Sequence, residues 1–221
     1  KYSNPTGTVY DEKTVNRIAK LGTITGDDFF VIWDNAYAVH DHFDKKELAS
    51  IMKFCKSYNT EDNVFLFGST SKVTHAGSGI SFLGASKNNI QTMLDHLTVF
   101  RICPNKVNQL RHSKMFPNIV SVRNQMKEHA SIIRYKFETV LKKLYYGLNN
   151  YGIGTWTKPV GGYFISFDTI PGLAKKVVEL SAEAGVKLTP AGSTFPYGID
   201  PENKNIRISP TFPQIKELEK A

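Results

Sequence analysis

Four short stretches of this sequence place reactive side chains where a fold could use them. Ser69-Thr70-Ser71-Lys72 sets an amine beside two serine hydroxyls, directly after the apolar run Val64-Phe65-Leu66-Phe67 and Gly68. A partly desolvated lysine loses its charge more easily than one in water, and the neutral amine is both nucleophile and base. Asp34 closes a second apolar run, Phe29 to Trp33, with Tyr37 three residues on. A carboxylate there favours the charged form of any basic group beside it. Arg207, in Asn205-Ile206-Arg207-Ile208, offers a planar fork that suits a carboxylate better than a ligand carrying only a phosphate. Asn4 stands in the tight turn Asn4-Pro5-Thr6-Gly7.

Taken singly, each has an ordinary explanation. An Asn-Pro-x-Gly turn is commonly only a turn, and an aspartate at a strand end commonly caps the helix that follows. A lone lysine is commonly solvated, and Arg207 could pair with Glu202 at a strand edge. Their joint order is what counts. Ligands of open α/β sheets sit beyond the carboxyl ends of the strands, where Asp34 and Lys72 both fall. Competing motifs are incomplete: no glycine precedes Lys72 as a P-loop requires, and Gly77-Ser78-Gly79 lacks the third glycine of a dinucleotide fingerprint. His40-Asp41-His42 could put two imidazoles on one strand face, but no third ligand is evident, so no metal is expected. His75, His96, His112 and His129 are isolated and read as surface or packing residues.

The elements around these residues follow from periodicity. The unbroken runs Phe29–Trp33, Val64–Phe67 and Ile80–Leu83 read as strands covered on both faces, as in a parallel sheet. Helical spacing lies between them over Glu12–Leu21 and Lys46–Tyr58. Strand and helix in alternation point to α/β. From Ile119 to Leu148 apolar residues recur every three or four positions, one long amphipathic helix ending at Asn149-Asn150-Tyr151-Gly152. Beyond it, strands at Tyr163–Phe167, Val186–Leu188 and Asn205–Ile208 and a helix over Leu173–Ala184 read as a smaller α+β unit.

Composition sets the outer limits. The 221 residues, 41% hydrophobic and 22% charged, are those of a globular chain and exclude disordered or collagen-like classes. The net charge of +8 is spread among acids, with no basic run that could make a tail. No apolar stretch approaches the roughly 20 residues of a membrane helix. Cys55 and Cys103 read as buried free thiols in a reducing cytoplasm.

Jointly these stretches resemble the pyridoxal-phosphate enzymes of the class I/II aminotransferase family, from Asn4 through Pro213. Pro159-Val160-Gly161-Gly162-Tyr163-Phe164 is similar to the glycine-rich segment that opens the family's small domain. Trp33-Asp34-Asn35-Ala36-Tyr37-Ala38-Val39-His40, Ser69-Thr70-Ser71-Lys72, Pro104-Asn105-Lys106-Val107-Asn108-Gln109 and Asp200-Pro201-Glu202-Asn203-Lys204-Asn205 resemble a bacterial aspartate aminotransferase subgroup. The resemblance implies fold type I: a large-domain, mixed but mostly parallel sheet with helices on both faces, a long connecting helix and a small α+β domain. It implies pyridoxal 5'-phosphate as cofactor, with a Schiff base on Lys72, which then serves as the proton-shuttling base. Asp34 would hold the pyridine nitrogen protonated, Asn4 and Tyr37 would donate to the phenolate oxygen, and Ser69 and Ser71 would bind the phosphate. Arg207 would clamp the substrate α-carboxylate. One departure stands out. The family's phosphate-gripping arginine, seven or eight residues after the lysine, is replaced by Gly79 and Ile80.

The same resemblance divides the chain into residues 1–117 of a large domain, a connecting helix over 118–150 and a small domain over 151–221. It implies a homodimer acting on amino acid and 2-oxo acid substrates in the cytoplasm, with aspartate and 2-oxoglutarate the expected pair. No nucleic-acid or membrane partner is expected, and Arg101 or Lys106 are candidates for a second substrate carboxylate. The chain reads as a C-terminal fragment, since it opens on a turn and its last helix, from Ile215, is only about two turns long. Three alternatives stay open: the aminotransferase-like domain of a transcription regulator, a lyase or decarboxylase on the same scaffold, and a basic nucleic-acid-binding module.

Overall fold

A computed structural model describes residues 1–26 and 28–221. The chain forms two compact units. One, here the lysine unit, comprises Tyr10–Ala38 and Glu47–Gln125; the other, the arginine unit, comprises Lys1–Val9, Val39–Lys46 and Met126–Ala221.

In the lysine unit, helices α1 (Glu12–Lys20) and α2 (Gly22–Thr25) precede strand β1 (Val31–Asp34). Helix α3 (Ile51–Tyr58), strands β2 (Val64–Ser69) and β3 (Ser81–Gly84), and helices α4 (Lys87–Phe100) and α5 (Lys106–Met115) follow. Helix α1 starts where the Asp11 carboxylate accepts from the Thr14 N–H at 2.7 Å, a side-chain N-cap. The sheet order is β1-β2-β3, with β2 parallel to β1 and antiparallel to β3. Val15 and Ala19 of α1, Ile51 and Cys55 of α3, and Trp33 and Val64 of the strands form one buried core.

Among the described residues, α1 and α3 cover that face of the sheet. Because side chains alternate, Ile32 and Phe67 point the other way, and they are 72% and 39% exposed. The expectation of buried strands is met on the core face by α1 and α3. Continuous apolarity records what a strand is suited to bury, and α1 and α3 supply a cover for one side. Two expectations change. The helix read from Lys46 begins at Ile51; upstream of it Asp41 bridges Gly161 and the His42 and Phe43 amides donate to the Val160 carbonyl. Cys103 is exposed in the connection between α4 and α5, and only Cys55 is buried.

Helix α6 (Ile119–Leu148) spans 30 residues, with Met126, Ile133 and Phe137 on its buried stripe. In the arginine unit follow β4 (Gly154–Trp156), β5 (Ile165–Thr169), α7 (Ala174–Glu183), β6 (Asn205–Ile208) and α8 (Ile215–Lys220). The three strands form an antiparallel sheet ordered β4-β5-β6. Phe137 and Ile165 are fully buried together, and Phe167, Ala174 and Ile206 form a neighbouring core cluster. Truncating a residue like Phe137 costs about 3–5 kcal/mol. No strand forms over Val186–Leu188. Gly185 takes φ +87° and the Val186 N–H donates to the Ser181 carbonyl at 2.7 Å, a Schellman-type stop that ends α7.

Candidate active site

The parallel pairing of β1 and β2 brings their carboxyl ends to one edge. Asp34 lies opposite Phe67, and Ser69 stands two residues further along β2. Alternation points Asp34 and Ser69 to the same face of the sheet, the one that also carries Ile32 and Phe67. The exposed Asp34 carboxylate accepts from the Ala36 N–H at 3.1 Å. It therefore caps a turn rather than a helix, and that turn delivers the buried Tyr37. The Asn35 N–H donates to the Phe67 carbonyl at 2.9 Å and ties the turn to β2.

After β2 the chain enters a loop with Lys72 near its start. The Lys72 Nζ lies 4.9 Å from the centroid of the Tyr37 ring. The Val73 and Thr74 amides both donate to the Thr70 carbonyl, at 2.9 and 3.0 Å, so Ser71 and Lys72 lie within a closed turn. The Ser71 N–H donates to the Ser69 hydroxyl at 3.4 Å. Gly79 returns onto this turn: a Cβ there would lie 2.6 Å from the Ser71 Cα and 2.8 Å from its nitrogen. No side chain fits, so an arginine at 79 is sterically excluded. The side-chain hydroxyls of this turn are those of Ser69, Thr70 and Ser71.

Arg207 and Asn4 meet in the arginine unit. Ile206 is 1% exposed in the core, and the alternation of β6 turns Arg207 to the opposite face. Its guanidinium carbon sits 4.6 Å from the Phe164 ring centroid, and its Nη1 donates to the Asn4 Oδ1 at 3.2 Å. The Arg207 Nε is buried with no hydrogen-bond partner among the described residues. An orphaned cationic donor of this kind fits an anionic ligand. Glu202 is not its partner, since Lys204 Nζ pairs with Glu202 at 2.5 Å. The turn carrying Asn4 closes by the Gly7 N–H to the Ser3 carbonyl, at 2.6 Å. Gly7 has φ +68° and packs on Pro159 where a Cβ would collide, so only glycine serves there.

Among the described residues, His40, Asp41 and His42 are not gathered into a group of three or more metal-ligating side chains. The Asp41 carboxylate accepts from Lys1 Nζ at 2.6 Å and from the Tyr2 hydroxyl. The buried His42 ring meets the Gly162 carbonyl through Nε2 at 2.5 Å, and burial favours its neutral form over the pull of that carbonyl and of Asp41. Arg101 and Lys106 are both exposed. Sequence reasoning missed one participant, His112. It is 9% exposed and hydrogen-bonded to Thr70, a contact between positions 42 residues apart.

The sequence model of a family described as aspartate amino-transferase matches residues 1–221. The chain belongs to that family. It is 45% identical over its whole length to a putative aminotransferase of Mycolicibacterium smegmatis, and 44% identical to an aspartate aminotransferase of Corynebacterium glutamicum. Each match covers 51% of the relative, so the chain spans about half the length of the curated relatives it matches. The crystal structure of an aspartate transaminase from Corynebacterium glutamicum superimposes with a TM-score of 0.95 at 43% identity, over 99% of this chain and 51% of that one. The fold is that of the fold-type I aminotransferases. No helix among the described residues is long and apolar enough to cross a membrane.

Proposed function

We propose that this chain carries the catalytic lysine and the substrate-binding arginine of an aminotransferase that uses pyridoxal 5'-phosphate, with an amino acid, L-aspartate first, as donor and a 2-oxo acid, 2-oxoglutarate first, as acceptor. The observation that carries the reading is Lys72. Its amine follows the carboxyl end of β2, lies 4.9 Å from the Tyr37 ring, and leads a loop closed by hydrogen bonds.

The coenzyme supplies, when bound, a conjugated system that takes up the electron pair of the broken α-carbon bond. The protein's own groups divide the remaining work. Lys72 holds the coenzyme and, once displaced by substrate, takes and returns the proton at the α-carbon. Asp34 keeps the ring nitrogen charged. Tyr37 and the amide of Asn4 donate to the phenolate oxygen; Arg207 occupies the Asn4 Oδ1, which leaves the amide N–H groups for that task. Ser69 and Ser71 bind the phosphate. Arg207 takes the substrate α-carboxylate, stacked on Phe164 and with its Nε still unpaired. Residues 1–117 would then contribute to the coenzyme-binding domain, 118–150 to a connecting helix and 151–221 to the small domain, within a cytoplasmic homodimer.

Borohydride reduction of the holoenzyme, followed by peptide mapping, tests the reading. The coenzyme is expected on Lys72 alone. A label on Lys87 or Lys114 would end the assignment.

A further inference from the structure

The loop that carries Lys72 is held at both ends by one helix. Thr70, at its start, uses every polar group it has. Its N–H donates to the Ile80 carbonyl at 2.9 Å, its carbonyl accepts from Val73 and Thr74, and its hydroxyl oxygen accepts from the Ile80 N–H at 2.9 Å. The hydroxyl proton has two acceptors in reach, the Ile80 carbonyl at 3.5 Å and the His112 Nε2 at 2.7 Å. His112 lies on α5, and its Nδ1 meets the Asn108 carbonyl at 2.9 Å. A carbonyl only accepts, so Nδ1 carries a proton there, while Nε2 pairs with the Thr70 hydroxyl. One turn earlier on α5, the Asn108 amide donates to the Ser78 carbonyl at 2.8 Å and to that of Gly79 at 3.3 Å. Asn105 accepts from the Asn108 N–H at 3.0 Å and caps the helix.

We infer that α5 is a clamp on the lysine loop, and that His112, held by the Asn108 carbonyl, is a positioning residue that sets Lys72 through Thr70. The inference rests on the reading of Lys72 given above. Its logic is local. Where Gly79 packs on Ser71, no long side chain can grip a ligand and order the loop at the same time. The ordering then has to come from within the protein. Thr70 is the residue through which it acts, because its carbonyl closes the turn that holds Lys72 while its hydroxyl joins Ile80 to α5. Apart from the buried Asn108 Oδ1, which has no partner among the described residues, the members of this network are paired, and losing one leaves a buried partner unsatisfied.

The test uses the holoenzyme and its His112→Leu, His112→Gln, Thr70→Val and double His112→Leu/Thr70→Val variants. Three quantities are read: the coenzyme dissociation constant, the midpoint of the pH titration of the coenzyme–lysine absorbance, and amide exchange of peptides within 68–80 in the coenzyme-free protein. His112→Leu and Thr70→Val are each expected to weaken coenzyme binding about tenfold, equivalent to about 1.4 kcal/mol. Each should shift the absorbance midpoint and speed exchange at 68–80 but not within β1. The double variant should be no worse than Thr70→Val alone, which already removes the bond to His112 together with the one from the Ile80 N–H. His112→Gln, whose Oε1 can accept from Thr70, should recover most of the effect. Thr70→Val, nearly isosteric, keeps the test alive if His112→Leu does not fold. Additive single effects, or a lower melting temperature with an unmoved absorbance midpoint, would overturn the clamp while the reduced coenzyme still maps to Lys72. A label absent from Lys72 in the wild type removes the reading on which the clamp rests.

Discussion

Lysine and arginine are positioned by different physics in the two units. Arg207 sits on β6, where the period of two sends Ile206 into the core and the guanidinium the other way. Its setting needs little besides the strand: an aromatic ring at 4.6 Å and one side-chain oxygen at 3.2 Å. Lys72 sits in a loop, which has no period to fix a direction. Its place follows from Thr70, His112 and Asn108, a chain of hydrogen bonds running to a separate helix. Regular elements position side chains more tightly than loops do. A loop matches them only when buried polar groups substitute for the missing regularity, and each such group becomes a point of failure.

The comparison can be broken most forcefully at Asp34. Asp34→Asn keeps a side-chain oxygen that can accept from the Ala36 N–H, so the turn that delivers Tyr37 should persist. Only the charge is lost. Turnover is expected to fall about 100-fold, or about 2.7 kcal/mol at ~1.36 kcal/mol per decade, with an unchanged circular dichroism spectrum. Near-normal turnover would reduce Asp34 to a turn cap.

Arg207→Lys sharpens the other side. A point charge cannot make two parallel hydrogen bonds, and charge-assisted bonds are worth about 1.5–3 kcal/mol each. The KM values for amino acid and 2-oxo acid should both rise, by about 10- to 100-fold, while coenzyme affinity stays the same. Steady-state kinetics with dicarboxylic substrates and a coenzyme titration measure the two. Loss of coenzyme in place of substrate affinity would move Arg207 to the phosphate.

How much of this could be read from sequence follows the same division. The strand carrying Arg207, the 30-residue α6 and the strands ending at Asp34 and Ser69 are periodic or unbroken apolar segments, and periodicity is a local signal. The stretch Lys46–Ser50 also had helical spacing but is not helical, and the residues just before it, His42 and Phe43, are tied by their amides to the Val160 carbonyl. Leu188 packs into the core without a strand to carry it, because the αL glycine at 185 sets the path of the chain. His112 gave no signal at all. A lone histidine in a polar helix becomes informative only once the fold sets it 2.7 Å from a threonine 42 residues away.

The smallest expected effect concerns the loop that launches β6 and so sets where Arg207 begins. The Asp200 carboxylate accepts from three backbone amides: Glu202 at 3.0 Å, Lys204 at 2.7 Å and Asn205 at 2.8 Å. Desolvation pushes its pKa up, but the backbone N–H groups of Asn205, Lys204 and Glu202 outweigh it and hold the group below the ordinary 3.8. The sign follows from linkage. A carboxyl whose pKa is depressed by folding adds stability at every pH above 3.8, and that contribution disappears as pH falls through the folded value. Asp200→Asn leaves an amide oxygen to accept and removes the charge, so at pH 7 a loss of about 0.5–1 kcal/mol is expected for this solvent-screened group. Denaturant unfolding of wild type and variant should show a constant gap from pH 7 to 5, narrowing only below 3.8. A gap that closes already near pH 6 would mean that another group carries the difference. If KM for substrate stays unchanged in the variant while stability drops, β6 holds Arg207 by its own ladder with β5, as the strand-based half of the comparison requires.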